Sequence, residues 1–517
     1  MIKILDSTLR DGLQGANISF SLSDKIHIVK MLDDLGISYI EAGNPGSNPK
    51  DVLFFEKAQE LTLKNAKLCA FGSTRRKNIN IESDDNVKSL LLAKTEVVVI
   101  FGKSWDLHVD QILNTTLEEN LNMIRDTVSY IKSHDKQVIF DAEHFFDGYK
   151  HNSDYATEVI KTAASAGADS ICLCDTNGGM LPSELKDIVL NVTSMFPSVE
   201  FGIHAHNDSG MAVANSIMSV EAGVTHVQGT LIGFGERCGN ADLSTIIPNL
   251  RLKKGLECDG DLARLTPSAV ALAEIANLIL PNNKPYVGKS AFTHKAGMHI
   301  DGVLKNSVSF EHISPEFVGN KRNFLVSEVA GRGTIVEKIK EYAKDLDKSS
   351  EQVTEILDKL KELENYGYQF EAADASFELL VRKILGTYEK RFTLLMYKTI
   401  GEFPSPNDNL TASATIQVEV GEKTEITAAL GNGPVNALDM ALRKALTVFF
   451  PQIKDMYLSD YKVRVLEQNN TTASKVRVLI ESSDGVSTWS TVGVSDDIIE
   501  ASLIALVDSI EYALQNL

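Results

Sequence analysis

The sequence has few cysteines and a shortage of positive charge. Five cysteines occur in 517 residues, an odd number, and most lie inside apolar stretches, so a disulfide framework is not expected. Lys and Arg number 51 against 70 Asp and Glu, which gives a net charge of −19. Such an acidic chain is a poor partner for nucleic acid or an anionic membrane surface, and any ligand that carries phosphate needs a local basic patch.

Long hydrophobic runs are absent as well. No apolar segment reaches the roughly 20 residues that a membrane-spanning helix needs, and a polar motif begins at Asp6, where a secretion signal would continue. The sequence therefore predicts a cytoplasmic protein without a membrane partner. Because 517 residues exceed what one hydrophobic core usually supports, at least two domains are expected.

Residues 1–255 alternate short β-branched segments with longer segments of helical period. This alternation is typical of strand–helix–strand units on a parallel sheet. Eight such strands within about 250 residues favour an α/β fold closed into a (β/α)8 TIM barrel. The predicted strands cover residues 2–5, 39–42, 68–71, 97–101, 137–140, 170–174, 200–203 and 225–228, and the clearest helices cover 24–35, 116–133 and 209–222.

The pattern changes after residue 255. Residues 256–385 are punctuated by Gly, Asn and Pro and then become charged and helix-periodic, which predicts accessory subdomains followed by a helical connector with a helix at 351–365. Residues 386–517 predict a C-terminal α+β regulatory domain. Its strands and helices follow one order twice, at 411–420, 425–430 and 434–449, then at 461–466, 475–480, 488–494 and 497–516. The repeat indicates internal pseudo-symmetry.

Carboxylates, histidines and glycines follow the C-terminal ends of the predicted barrel strands, where this architecture carries its catalytic residues. His204 and His206 are two residues apart on one strand, so both imidazoles can point at one centre. Asp11 follows the first strand, which a closed barrel brings near the seventh, and Asn240 lies in a glycine-rich loop. Imidazole, carboxylate and amide oxygen together predict a divalent metal site, with Mn2+, Mg2+ and Zn2+ left open.

Three motifs, in this order, resemble a known family. The segments DSTLRDG at 6–12, HAHND at 204–208 and GFGERCGN at 233–240 are similar to the acyl-CoA condensing branch of the metal-dependent barrel superfamily. The likeness covers essentially the whole chain and implies a Claisen condensation of acetyl-CoA with a 2-oxo acid. Segments 41–51, 71–76 and 140–148 resemble the citramalate synthase family within this branch. That resemblance implies pyruvate as the oxo acid and a place at the entry to isoleucine biosynthesis.

The resemblance also implies roles for individual residues. The positions that match the family's catalytic groups are Arg10, Glu143, His299 and Asp301. The positions implied for oxo acid binding are Gln14, Thr176 and Asp141. The candidates for the phosphates of CoA are Arg75 and Arg76. In one departure from the family, Phe310 stands where members usually have tyrosine, so a phenolic proton donor is missing there.

The C-terminal region resembles the family's regulatory domain. Gly431, Asn432 and Gly433 precede a predicted helix, whose free backbone N–H groups can receive a carboxylate. The resemblance implies a homodimer and feedback binding of an amino acid, with isoleucine as the effector of a pyruvate-using enzyme. Two alternatives remain open: a 2-isopropylmalate synthase that uses 2-oxoisovalerate, and a sensor of metal or amino acid that has lost turnover.

Overall fold

The computed structural model describes residues 1–46, 48–325, 331–340, 343–401, 411–466 and 474–516. These residues form two compact units. The first contains Met1–Phe292 and His312–Arg322, and the second contains Thr293–Glu311 and Asn323–Leu517. No helix of the described residues is long and apolar enough to cross a membrane. The predicted domain limits at 255 and 385 remain predictions.

The first unit is a closed barrel of eight parallel strands in sequential order. This confirms the predicted fold class. The strands are β1 (Lys3–Asp6), β2 (Tyr39–Gly43), β3 (Lys67–Ser73), β4 (Val97–Lys103), β5 (Gln137–Glu143), β6 (Ser170–Asp175), β7 (Phe201–Ala205) and β8 (His226–Gly229). Backbone pairing of β1 with β8 closes the barrel, with Leu5 opposite Gln228.

Helices surround the barrel. They are α1 (Leu22–Leu35), α2 (Pro49–Ala58), α3 (Asp85–Leu92), α4 (Leu117–Lys132), α5 (Phe145–His151), α6 (Ser153–Ser165), α7 (Pro182–Met195), α8 (Ala212–Glu221), α9 (Leu243–Pro248) and α10 (Leu265–Ile275). Sequence signals explain several of their starts: Ser21 and Asp24 form a capping box before α1, and the Thr116 side chain caps α4.

Two apolar layers hold the barrel together. The larger layer lies between the strands and the surrounding helices and includes Ile171 and Leu173 of β6. A smaller cluster fills the barrel interior with Leu5, Tyr39, Cys69, Val97, Val99 and Ile139. Side chains alternate along a strand, so every second residue points into the barrel. Nearer the C-terminal ends, polar residues occupy these inward positions. The interior therefore passes from an apolar floor to a polar mouth.

Every predicted barrel strand is confirmed, and each extends further than predicted at its C-terminal end. For example, β5 ends at Glu143 rather than at residue 140. Each strand was predicted from a run of apolar side chains, and such a run ends at the first polar residue. In the structure the ladder continues through the polar residues, so Asp141 and Glu143 stand on a rigid strand, not on a loop.

The second unit begins with short elements and then forms two similar sheets. Its first elements are β9 (Thr293–His294), α11 (Gly297–Lys305), β10 (Asn323–Phe324), α12 (Arg332–Ile339), α13 (Glu351–Tyr366) and α14 (Asp374–Ile384). The sheets and their helices are β11 (Thr393–Gly401), β12 (Ala412–Val420), β13 (Lys423–Gly431) and α15 (Pro434–Thr447), then β14 (Tyr457–Val465), β15 (Val476–Ser483), β16 (Thr488–Ser495) and α16 (Ile498–Gln515). Each sheet is antiparallel with its strands in sequential order.

The predicted internal repeat is present, but one strand was missed. The predicted strand at 411–420 pairs on one side with β13 and on the other with β11, which the sequence analysis did not identify. Most of β11 is exposed on both faces, so its sequence lacks the alternation that reveals a half-buried strand. The repeat extends to a bulge near the start of the first strand of each sheet, at Leu394/Met396 and Leu458/Asp460.

Candidate active site and metal centre

A cavity of about 200 Å3 lies at the C-terminal ends of the barrel strands. Eight residues predicted from the sequence line it together: Arg10, Asp11, Gln14, Asp141, Glu143, Thr176, His204 and His206. Its remaining lining residues are Phe71, Phe101, Cys174, Glu236 and Arg237. The barrel therefore brings side chains from both halves of the first 240 residues to one place, as the position of active sites in this architecture predicts.

Three ligand-type side chains converge at one wall of the cavity. Asp11 Oδ2 lies 3.6 Å from His204 Nε2 and 3.8 Å from His206 Nε2, and the two Nε2 atoms are 3.3 Å apart. Asn240 donates from Nδ2 to Asp11 Oδ1 at 2.8 Å, while its buried Oδ1 has no hydrogen-bond partner among the described residues. Two imidazoles, a carboxylate and an unmatched amide oxygen fit a divalent cation.

The protonation states of these groups suit a cation. Burial and the neighbouring His206 lower the pKa of His204 to about 3, so its imidazole is neutral at pH 7 and can act as a ligand. Burial also lowers the pKa of His206. Burial alone would raise the pKa of Asp11, but Arg10 and the two imidazoles outweigh burial and hold that pKa well below its usual range.

A buried amide sets the orientation of His204. Gln228 on β8 donates from Nε2 to Asp141 Oδ1 at 2.9 Å, and its Oε1 lies 3.0 Å from His204 Nδ1. Because the amide oxygen can only accept, His204 Nδ1 carries the proton, and the lone pair of Nε2 is left for a cation. The sequence analysis did not identify Gln228. Gln228 is marked by its inward position on β8, opposite His204, and this position is known only once the strand register is known.

Arg10 is held between two carboxylates and an aromatic ring. Its Nε donates to Glu41 Oε2 at 2.6 Å and its Nη1 donates to Asp11 Oδ2 at 2.8 Å. The guanidinium carbon lies 3.9 Å from the centre of the Phe71 ring. Burial would lower the pKa of Arg10, but Glu41 and Asp11 raise it above the ordinary value. The guanidinium is therefore a fixed positive group beside the metal ligands.

The glycine-rich loop after β8 positions Asn240. Asn240 donates its backbone N–H to Gly233 O, and Asn207 donates to Gly239 O, which ties the loop to the end of β7. A Cβ on Gly235 would lie 2.1 Å from Asn240 Nδ2 and 3.2 Å from Asp11 Oδ1. The glycine thus leaves room for the metal-ligand side chains, which is the physical reason for glycine at this place.

The C-terminal end of β5 carries a strained histidine and an ion pair. His144 has a left-handed backbone, with φ of +58°, and donates its N–H to Thr176 Oγ1 at 2.9 Å. This contact links the end of β5 to the predicted oxo acid residue Thr176. Glu143 forms an ion pair with Lys103 at the end of the neighbouring strand. Strain at a non-glycine residue beside a cavity is typical of functional sites.

A second cavity of about 450 Å3 lies beside the first and shares Phe101 with it. Arg75 and Arg76 line it, together with Lys77 and Lys103. The Arg75 guanidinium is buried and already paired with Glu119 and Asp126, each at 2.8 Å. Arg76 is exposed. Of the two arginines proposed for CoA phosphates, Arg76 is therefore the better placed.

The predicted catalytic residues His299 and Asp301 belong to the second unit. The Phe310 ring stacks on the His299 imidazole, with ring centres 4.4 Å apart, so the group beside His299 has no proton to give. Asp301 is partly exposed and forms ion pairs with Lys305 and Lys348. Its pKa is lowered to about 2 by hydrogen bonds from these two lysines. Both roles remain predictions.

The turn at Gly431, Asn432 and Gly433 lies where the sequence analysis placed it, between β13 and α15. The backbone N–H of Asn432 donates to Asn436 Oδ1 at 3.1 Å, so the helix supplies its own acceptor at this position. Asn432 O accepts from Thr411 Oγ1 at 3.0 Å. The backbone N–H of Asn432, one of those proposed to bind an effector carboxylate, is therefore already hydrogen-bonded within the protein.

Three family models match consecutive parts of the chain. Residues 1–278 match the HMGL-like model, residues 286–367 match the homocitrate synthase post-HMGL domain-like model, and residues 371–514 match the LeuA allosteric (dimerisation) domain. The first match covers the whole closed barrel.

Curated relatives are similar over the full length. The chain is 54% identical to the (R)-citramalate synthase of Aquifex aeolicus, covering 100% of this chain and 98% of the relative. It is 50% identical to the (R)-citramalate synthase of Geobacter sulfurreducens, with the same coverage. A 2-isopropylmalate synthase of Methanocaldococcus jannaschii is 31% identical over 99% of this chain and 95% of the relative. The chain belongs to the citramalate synthase family of HMGL-like barrel proteins.

Proposed function

We propose that the protein is an acyltransferase that condenses acetyl-CoA with pyruvate and water to give (R)-citramalate and CoA. The observation that carries this proposal is identity of 45–54% over 99–100% of the chain with relatives named (R)-citramalate synthase. Relatives named 2-isopropylmalate synthase are only 28–31% identical. The cavity with its metal-ligand cluster supports the same chemistry.

A divalent metal held by Asp11, His204, His206 and Asn240 would polarise the keto group of a bound 2-oxo acid. Arg10 stands beside these ligands and uses Nε and Nη1 for Glu41 and Asp11. Its Nη2 is left to donate to the keto oxygen as negative charge develops there. Gln14 and Thr176 line the same cavity and would hold the carboxylate of pyruvate.

The cavity favours a small oxo acid. Phe71 and Phe101 both line it, and their rings stack with centres 5.1 Å apart and planes 18° apart. The Arg10 guanidinium packs on the Phe71 ring. The two stacked rings leave little room for a branched side chain of the oxo acid, because one ring would have to move out of its packed position. The methyl group of pyruvate needs less space than the isopropyl group of 2-oxoisovalerate.

A base must take a proton from the methyl group of acetyl-CoA. Glu143 lines the cavity and stands on the same strand as Asp141, so we assign the proton transfer to Glu143, with His299 as a further candidate. The resulting carbon attacks the keto carbon, and the keto oxygen takes up a proton. Water then cleaves the thioester, which releases CoA. The neighbouring cavity, with Arg76 and Lys77, would receive the phosphate-bearing end of CoA.

The second unit supports regulation and assembly. Its match to the LeuA allosteric (dimerisation) domain spans both sheets, and we infer that the protein forms a homodimer and binds an end-product amino acid, isoleucine if citramalate is the product. Addition of isoleucine should then lower the rate with pyruvate, whereas a leucine response would favour the isopropylmalate pathway. Size measurement in solution tests the dimer.

The function is tested by CoA release from acetyl-CoA with Mn2+ or Mg2+. Pyruvate is compared with 2-oxoisovalerate, 2-oxoglutarate and no oxo acid. We expect release only with pyruvate. A preference for 2-oxoisovalerate would contradict the choice of substrate, and a metal-loaded protein that is inactive with every oxo acid would favour the sensor.

A further inference from the structure

A second group of ligand-type side chains lies in the barrel interior. Cys172 and Cys174 are buried on β6 and alternate with Ile171 and Leu173, which face the outer apolar layer. Both cysteines therefore face inward. Asp141 on β5 stands opposite Cys172 in the strand register. A carboxylate oxygen of Asp141 and the two sulfur atoms lie within 4.8 Å of one another.

This group is distinct from the metal-ligand cluster of Asp11, His204 and His206, and the proposed reaction uses neither thiol. Cys174 and Asp141 line the 200 Å3 cavity, so an ion that enters the cavity can reach them. Cys172 precedes Cys174 by two residues and lies one layer deeper in the barrel. The group has an entrance from the mouth and a closed inner end.

The surroundings of the group carry an excess of acids. Burial raises the pKa of Asp141 to about 8, and Glu41 adds to the effect. Burial raises the pKa of Cys174 to about 11 and that of Cys172 well above its ordinary value. Without a bound cation these groups keep their protons at pH 7, because burial outweighs the favourable charge of Arg10. A divalent cation would supply that charge.

We propose that Asp141, Cys172 and Cys174 form a second cation site, selective for thiophilic divalent ions such as Zn2+ and Cd2+. Zinc binds thiolate sulfur at about 2.3 Å and carboxylate oxygen at about 2.0–2.2 Å, so ligand atoms that lie within 4.8 Å of one another reach a common ion when they approach by up to about 1 Å. Binding releases the two thiol protons and the carboxyl proton of Asp141 to solvent and changes no oxidation state. Mn2+ and Mg2+ prefer nitrogen and oxygen ligands and remain at the first cluster.

Occupation of this site would disturb the first cluster. Asp141 Oδ1 accepts from Gln228, which in turn fixes His204. A cation that draws the carboxylate toward the thiols weakens this support and narrows the cavity. Thiophilic ions bound at this second site should therefore inhibit the protein even when Mn2+ is in excess, because Mn2+ competes poorly for thiolate ligands.

The test uses the full-length protein with Cys238→Ser as background, because Cys238 is the exposed cysteine and would bind the probe. The protein is saturated with Mn2+ and titrated with Cd2+, and the ultraviolet thiolate-to-cadmium charge-transfer band is recorded. We expect one equivalent of Cd2+ to produce the band, and Cys172→Ser and Cys174→Ser each to lose it in large part. Cys69→Ser is the matched control, since Cys69 is a buried barrel cysteine outside the group, and it should keep the full band.

Asp141→Asn keeps both thiols, and it should retain the band with weaker Cd2+ affinity. Circular dichroism checks the fold of each variant. If the cysteine variants do not fold, the cadmium NMR shift of the background protein decides the question, since sulfur ligation and nitrogen or oxygen ligation give separate shifts. A band that persists in the Cys172→Ser/Cys174→Ser double variant, or a cadmium shift typical of nitrogen and oxygen ligands alone, would overturn the proposal.

Discussion

At the residue scale, the metal cluster depends on a side chain that carries no charge. Gln228 bridges Asp141 and His204, and the direction of its amide decides which imidazole nitrogen is free. Metal-ligating histidines usually donate their other nitrogen to a carboxylate or carbonyl group. In this protein the amide of Gln228 lies between His204 and the carboxylate of Asp141. His204 is therefore held by a chain of two residues rather than by a carboxylate directly.

Replacing Gln228 by leucine should weaken metal binding. Gln228→Leu leaves His204 Nδ1 without its acceptor, so both tautomers become accessible and one of them blocks Nε2. We expect Mn2+ affinity to fall by roughly 10- to 100-fold, measured by calorimetry, and nitrogen NMR of the metal-free protein should show mixed His204 tautomers. Asn249→Leu is the control, because Asn249 is also an amide with two partners, Thr245 and Tyr286. Equal affinities in the two variants would contradict the role of Gln228.

Asp141 should make the stability of the metal-free protein depend on pH. Its pKa is raised from 3.8 to about 8 in the folded state, chiefly by burial. Between these values the unfolded state has lost the proton that the folded state keeps, so the free energy of unfolding falls as pH rises. Asp141→Asn removes this contribution. Its free energy of unfolding in urea should decline less steeply with pH than that of the unsubstituted protein, and parallel curves would refute the assignment.

The sequence predicts the residues of the candidate metal cluster but not the side chain that supports them. His204, Asp11 and Asn240 could be predicted because each lies in a motif that follows a predicted strand end. Gln228 could not, since a neutral side chain inside a strand reads as ordinary packing. The residue that it contacts lies 87 positions away on another strand, and only the closed register of the barrel brings the two together.

At the element scale, the loop between β8 and α9 places Asn240 against Asp11 of the candidate metal cluster, and Gly235 tests this role. A methyl group at Gly235 would contact Asn240 Nδ2, which is itself fixed on Asp11. We expect Gly235→Ala to lose Mn2+ affinity in calorimetry without unfolding the barrel. The control is Gly210→Ala: Gly210 has a φ of +74°, and a Cβ there meets no atom within 4 Å. If Gly210→Ala loses as much affinity, backbone strain rather than contact is the cause.

Helices α1 and α2 are joined by a buried ion pair. Lys25 is fully buried and its Nζ lies 2.6 Å from Asp51 Oδ1, while Asp51 Oδ2 accepts from the backbone N–H of Asn44 just after β2. Lys25→Met leaves a buried carboxylate without its cation, so the barrel should lose about 3–5 kcal/mol in free energy of unfolding. Lys57→Met removes an exposed pair on α2 and should cost less than about 1 kcal/mol. Similar losses in denaturant titrations would show that the pair at Lys25 is not special.

Elements with one buried face were predictable, and exposed ones were not. The helix predicted at 351–365 is α13, with Val353, Ile356, Leu357 and Leu360 on its buried face. The missed β11 has no such face. Apolar periodicity reports burial rather than backbone conformation, which explains both results.

At the scale of the whole molecule, the chain passes between the two units three times. Residues 312–322 return to the barrel unit after a segment of the second unit. In this segment, Val318 is fully buried in the barrel core, and its carbonyl accepts a hydrogen bond from Thr266 Oγ1 at 2.6 Å. Asn320 Nδ2 donates to the carbonyl groups of Tyr286 and Gly288. The core of the barrel therefore includes a residue of the returning segment, which follows all eight barrel strands in the sequence.

Truncation tests this division. A fragment of residues 1–292 lacks the returning segment and exposes the apolar surface that Val318 covers, so it should aggregate or melt at lower temperature than a fragment of residues 1–322. Light scattering and thermal melts compare the two. Equal melting temperatures would mean that the returning segment adds nothing to the barrel.

The proposed reaction forms a carbon–carbon bond between the acetyl methyl carbon and the keto carbon of pyruvate. It is tested most directly with acetyl-CoA labelled with carbon-13 at the methyl carbon, Mn2+, unlabelled pyruvate and the full-length protein, with the products followed by NMR. We expect the label to appear in the methylene group of citramalate, and we expect Asp11→Asn to abolish this signal. Label recovered only as acetate, or incorporated with 2-oxoisovalerate in preference to pyruvate, would contradict it.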